Sequence, residues 1–473
     1  MDRVTQSGRS HDDVPQHPVE APVADVQGAA ISRRELLRRG LLIGGSTSAT
    51  ASMLFALGCR GPATATPTPD QAATLTATAT TTPSTGATAT VTSAPGQAGT
   101  PTDVASPAAS PTGATIAVVE GTPAGAASPA GAPTRIAAPS ATPSAAIDPL
   151  TVRAVYPTPD AIIDDATFNA LLALADRTEI NAMVIDIKDE TGWLYHDSSV
   201  ALARELGAVH PRYDLRQRLA TLKAHHVYTI ARIVCMQDPT LATGRPALAV
   251  RNSKTGGIWK NDNGVGWVNA MRPEVWDYNT AVAVEAARFG FDEIQYDYVR
   301  FPSDGDMAAI DVGAESSVTT RTAAIVQCLR TTREALALHG VPLAADIFGI
   351  VLVLADDNNI GQQLEALAPA VDYLCPMIYP SHFPPNGLGW RVPNDHPYEV
   401  ILESLQLGGE RIDDANRKFR PWLQDFSYGR GKEYGPDEVR AQIQATYDFG
   451  ATGWMLWNAN NTFTEGALLP EGR

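Results

Sequence analysis

From Asp148 onward the sequence predicts a single α/β domain, a (β/α)8 TIM barrel. Two patterns carry this reading: eight short apolar runs rich in β-branched and aromatic residues, and longer segments of helical periodicity between them. A third observation separates the barrel from a doubly wound sheet. No Gly-x-Gly-x-x-Gly follows the first run, and eight repeats exceed the five to seven strands such sheets commonly use.

The elements follow in order. The apolar run at 152–156 leads to a helix expected over 165–176, and the run at 182–187 to one over 214–225. The strand at 228–235 precedes a helix at 274–289, which Gly290 should end by taking the left-handed conformation. Strands at 293–298 and 343–348 flank a helix at 318–339; the strand at 373–378 lies between helices at 360–368 and 398–405. The last pair of strands, 421–426 and 453–457, encloses a helix at 436–449 stopped by Gly450.

What precedes the barrel differs in composition. Ser32-Arg33-Arg34-Glu35-Leu36-Leu37-Arg38, a weakly apolar stretch at 41–58 and then Cys59 match a twin-arginine export signal with a lipoprotein-like processing site. Residues 1–59 are therefore expected to be the signal, with Cys59 the lipidated residue. Residues 60–147 are almost wholly Ala, Thr, Pro, Ser and Gly; such a segment buries too little apolar surface to offset its ordering entropy and reads as a disordered linker. The domain at 148–473 is then tethered at the outer face of the cell membrane, where a monomer is expected.

The charge of −16 lies entirely beyond residue 59, because the first 59 residues hold six Arg against six Asp or Glu. An acidic domain gains nothing from counterion release, so nucleic acid is excluded as a partner. Cys235, Cys328 and Cys375 show no Cys-x-x-Cys spacing, and Cys235 and Cys375 lie in apolar runs as small buried hydrophobes. The nine histidines show no His-x-x-His spacing, so neither a metal nor another cofactor is expected.

In such a barrel the active site lies where the strands end. Those ends are acidic: Asp186 and Asp189 at the end of the second strand, Asp297 in the fourth, Asp346 in the fifth and Asp425 in the seventh. Carboxyl groups converging on one opening suit glycosidic-bond hydrolysis, which needs one kept protonated and one ionised. Asp297 stands out, since a carboxyl inside an apolar strand is costly unless it is paired or used. The expected roles make Asp297 nucleophile or base and Asp346 the acid, with Asp186, Asp189 and Asp425 competing for the latter. Tyr296, Tyr298 and Arg300 are expected to hold Asp297. Tyr379, His382, Trp457 and Asn458 at strand ends complete the candidate substrate contacts, with loop indoles Trp193, Trp259, Trp267 and Trp390 as sugar-stacking platforms.

Three segments carry a family resemblance: 181–192 (NAMVIDIKDETG), 291–302 (FDEIQYDYVRFP) and 376–382 (PMIYPSH). Together they resemble the family of glycosyl hydrolase barrels known as a domain of unknown function. The resemblance spans about 152–465 and implies a barrel with a carbohydrate-linked role. By position Asp297 resembles the fourth-strand nucleophile of α-amylase-like barrels, although those carry Glu where this chain has Asp346. A metal-dependent deacetylase would need clustered His and Asp ligands, and a serine hydrolase a Gly-x-Ser-x-Gly elbow; neither occurs. A catalytically silent barrel that binds a glycan or cell-wall polymer is the alternative from a different class.

Overall fold

The computed structural model describes residues 147–451 and 453–470. The segment expected to be an export signal, Cys59 and all of the expected linker except residue 147 lie outside the described residues.

Eight parallel strands close into a barrel in sequential order: β1 (Arg153–Val155), β2 (Ala182–Lys188), β3 (Tyr228–Val234), β4 (Glu293–Asp297), β5 (Leu343–Phe348), β6 (Tyr373–Met377), β7 (Trp422–Gln424) and β8 (Trp454–Trp457), with β8 pairing back onto β1. All eight fall where the apolar runs predict them, β5 at its expected limits and the others shorter or longer by one to three residues. Period-2 alternation sorts their side chains. Ala154, Val184, Ile230, Ala344, Cys375, Trp422 and Met455 fill the barrel interior, whereas Met183, Ile185, Ala231, Ile294, Tyr296, Ala345, Ile347 and Leu456 face the helix layer.

The principal helices are α1 (Asp165–Arg177), α2 (Leu215–Ala224), α3 (Pro273–Phe289), α4 (Val318–Ala337), α5 (Leu364–Leu367), α6 (Pro397–Gly409) and α7 (Pro436–Phe449). Asp164 and Asp214 cap α1 and α2 through their side chains. Gly290 (φ 99°) and Gly450 (φ 97°) end α3 and α7 in the left-handed region, as their placement predicts. Two helices differ from expectation. The segment at 360–368 keeps only the short α5 and a 3-10 turn (Ala368–Ala370), and α6 runs on through Gly408 and Gly409, where Leu352 and Phe449 pack too close for side chains.

The long β3–α3 and β4–α4 connections meet in a two-stranded antiparallel ribbon, Arg251–Asn252 with Ile310–Asp311. Cys235, Cys328 and Cys375 are free and buried, as core thiols. No helix of the described residues is long and apolar enough to cross a membrane.

Candidate active site

Alternation places Gln295 and Asp297 of β4 toward the barrel interior and Tyr296 away from it. Tyr296 is fully buried against α4, its hydroxyl within 3.0 Å of Thr332 Oγ1, so it belongs to the helix layer and not to the mouth. Neighbouring residues of one strand cannot both face the opening.

Asp297 is held by a residue that the strand-end survey passes over. Arg232, buried inside β3, donates from Nε (3.0 Å) and Nη2 (2.6 Å) to Asp297 Oδ2, and from Nη1 (2.6 Å) to Asp186 Oδ1. Its signal in the sequence is the one that marks Asp297: a charged side chain inside an otherwise apolar strand. Asp186 Oδ2 accepts from the Tyr156 hydroxyl at 2.6 Å. The expected partner Arg300 instead lies over the rings of Trp267, Tyr298 and Phe348 and donates to Phe301 O and Ser303 Oγ.

Tyr298 does contribute to holding Asp297, but through its backbone. Its N–H donates to Asp297 Oδ1 at 2.6 Å, with φ at 50°. A left-handed tyrosine costs on the order of 1–3 kcal/mol, and such strain gathers at functional sites.

Asp346 projects into the interior from β5, beside Asp297. Its Oδ1 accepts from Gln295 Nε2 (2.8 Å) and Trp422 Nε1 (2.7 Å), while its Oδ2 is buried without a hydrogen-bond partner. Burial, reinforced by the charge of Asp297, pushes its carboxyl well above the usual carboxylate range, which favours its protonated form. For Asp186 burial is again the first cause: with Glu190 it outweighs Arg232 and Tyr156, and the carboxyl rises to about 6.

The other two carboxyl candidates are fully engaged in structure. Asp189 closes the turn after β2, accepting from the Thr191 N–H and hydroxyl and the Trp193 N–H on Oδ1 and from the Tyr195 hydroxyl on Oδ2. Asp425 fastens the loop after β8, receiving both the N–H and the hydroxyl of Thr464. Asn458 serves the same loop through Asp425 O and Thr462 O.

The aromatic candidates divide similarly. Trp259 and Trp267 are fully buried and belong to the core. Trp390 is half-buried and stacks on His396, and Trp193, 40% exposed, lies against His210. Trp457 stacks on Tyr156 at 4.3 Å next to Arg232, which puts it at the carboxyl cluster. Tyr379, His382 and Phe426 form an edge-to-face group with Tyr428 at its rim; burial drops the His382 imidazole to about 4, leaving it neutral at pH 7. Among the described residues no group of three or more His, Cys, Asp or Glu is arranged to hold a metal ion.

The site thus joins a buried carboxyl whose surroundings favour its protonated form to a second one fixed by a guanidinium and a backbone N–H, beside aromatic side chains. Among solved structures the chain is similar to a hypothetical protein from Ruminiclostridium thermocellum ATCC 27405, with 34% identity over 41% of this chain and 96% of that one and a TM-score of 0.37. It is also similar to the PgaB (BpsB) glycoside hydrolase domain from Bordetella bronchiseptica (14% identity, 66% of this chain, 94% of that one, TM-score 0.49). A chitinase from Chromobacterium violaceum ATCC 12472 matches at 12% identity, 67% of this chain and 96% of that one, with a TM-score of 0.41. No curated protein matches. The family model described as "Putative glycosyl hydrolase domain" matches residues 154–463, from β1 to beyond β8, and the chain belongs to that family.

Proposed function

We propose that the barrel hydrolyses O-glycosidic bonds of an extracellular or cell-envelope polysaccharide, with Asp297 and Asp346 as the working carboxyl pair. The observation that carries this reading is the contrast between neighbours: Asp346 is buried and pushed to hold its proton, while Asp297 is matched to the Arg232 guanidinium. Glycosidic cleavage requires that division of labour. Asp346 passes its proton to the leaving oxygen as the bond to the anomeric carbon breaks. Asp297 supplies the electron pair, either directly to the anomeric carbon or by removing a proton from the attacking water. Both carboxyls lie beneath the rim, so the reacting sugar has to enter the mouth, where the partly exposed Trp457, backed by Tyr156, offers it a stacking face.

The test is turnover on a panel of α- and β-linked glucans and amino-sugar polymers. Asp297→Asn and Asp346→Asn should each lower kcat by roughly 10²- to 10⁴-fold on any substrate the parent cleaves. Full activity of Asp297→Asn on such a substrate removes it from the mechanism; binding without turnover by the parent makes the barrel a glycan-binding module.

The place of action proposed is the outer face of the cell membrane. Support comes from the order Arg33-Arg34, apolar stretch, Cys59 and Pro/Thr-rich linker, which suits a folded domain exported and held away from a lipid anchor.

A further inference from the structure

We infer that Asp186 is a positioning residue: it acts on Asp297 through Arg232, whose single guanidinium the two carboxyls share, and it does so without touching substrate. The inference rests on the proposed role of Asp297, but the coupling itself is a property of the protein alone.

Geometry separates the two carboxyls. The Asp186 side chain is 0% exposed, with one oxygen taken by Arg232 and the other by Tyr156, so it has no free face for a sugar. Asp297, with a side chain 9% exposed, carries two guanidinium N–H groups on Oδ2 and one backbone N–H on Oδ1, which leaves Oδ1 the oxygen with capacity to spare. Arg232 cannot give up its proton, so one fixed positive charge faces two carboxyls. With both ionised and Asp346 neutral, the cluster carries one net negative charge, the sign that stabilises a positively charged, oxocarbenium-like transition state.

Adding a proton to Asp186 abolishes that surplus. Arg232 is then matched to Asp297 alone, and the Asp297 carboxylate becomes a weaker nucleophile or base. The groups facing Asp186 are Tyr156 at the end of β1, Arg232 on β3, Glu190 just past β2, and Tyr195 and Tyr213 in the connection to α2. Burial and Glu190 favour its neutral form, Arg232 and Tyr156 its charged form, and the balance at about 6 puts the change within a physiological range.

The test reads carboxyl groups and not turnover. The full chain, labelled with ¹³C at the Asp carboxyl carbons, is titrated by NMR in three forms: parent, Asp186→Asn and Tyr156→Phe. In the parent, the Asp186 resonance should titrate near pH 6 and the Asp297 resonance should step at that same pH. In Asp186→Asn the step at Asp297 should vanish. In Tyr156→Phe, which removes a hydrogen bond to the charged form, both changes should move together to higher pH. An Asp297 resonance that ignores the titration of Asp186 overturns the inference, as does an unchanged Asp297 curve in a folded Asp186→Asn variant. If Asp186→Asn fails to fold, Tyr156→Phe decides by itself. Should Asp297→Asn retain full activity while the parent shows the coupled step, Asp297 leaves the mechanism and the coupling stands.

Discussion

What a carboxyl group does in this barrel depends on what its oxygens already hold. Asp189 and Asp425 have both oxygens committed to local donors and stabilise turns, whereas Asp346 keeps one oxygen unpartnered. Glu285 on α3 is the extreme case: burial raises its carboxyl, yet hydrogen bonds from His196, Ser198 and Ser199 outweigh that and hold it at about 2. A folded value below the unfolded one contributes stability above about 4.5, which is lost as pH falls from there toward 2. Glu285→Gln should therefore cost about 1–3 kcal/mol in urea melts at pH 7, and the gap to the parent should shrink as pH falls below 4.5. A gap independent of pH would show that the charge does not matter. Asp186 works in the opposite sense: raised to about 6, it keeps its proton longer when folded, so stability falls as pH rises from 3.8 to 6. That contribution is common to both proteins and cancels in the comparison.

At the scale of elements, the junction of β5 and β6 sets where Asp346 stands. Gly349 directly follows β5, and a Cβ there would meet the Met377 carbonyl oxygen at 2.5 Å and Ile378 Cα at 3.2 Å. Backbone cannot yield as a flexible side chain can. Gly349→Ala is expected to cost about 1–3 kcal/mol in thermal or denaturant melts, by overpacking, and to lower kcat more than it raises KM by moving the strand that carries Asp346, the proposed acid. A variant as stable and as active as the parent would mean that the strands separate freely at this point. Across the mouth, the turn after β2 has a comparable restriction, since Gly192 (φ +81°) packs directly on Asp238, the partner of buried Lys188.

For the whole molecule, the end of the barrel opposite the mouth is closed by a buried ion pair, Arg420 with Glu293 at 2.6 Å, with the Tyr228 hydroxyl also on Glu293. Removing one partner leaves a buried charge uncompensated. Arg420→Met should destabilise the fold by about 3–5 kcal/mol while kcat at a permissive temperature stays near the parent value, because the site is at the other end. A fall in kcat without loss of stability would contradict this division between the two ends. The proposed tether is tested by fractionation: Lys in place of both Arg33 and Arg34 should leave precursor in the cytoplasm, and Cys59→Ala should release the domain from membranes. Unchanged fractionation in both variants would discard the proposed location.

The strand positions were legible because the signal is local. Alternation of side chains and the spacing of apolar residues depend only on neighbours in the chain, and both recur eight times. Asp297 and Asp346 were legible for the same reason, as charged residues inside apolar strands. The same alternation, applied residue by residue, excludes Tyr296 from the mouth. Beyond that, closure of the barrel made the decisions. Arg232 and Asp297 are 65 residues apart, and Trp422 reaches Asp346 across 76; neither pairing follows from spacing in the chain. Burial of Trp259 and Trp267 likewise depends on how two long connections fold together. Sequence by itself determined which residues carry charge into the interior. Only the tertiary structure decided which oxygens remain free, because hydrogen-bond occupancy is set by side chains that the register of distant strands brings together.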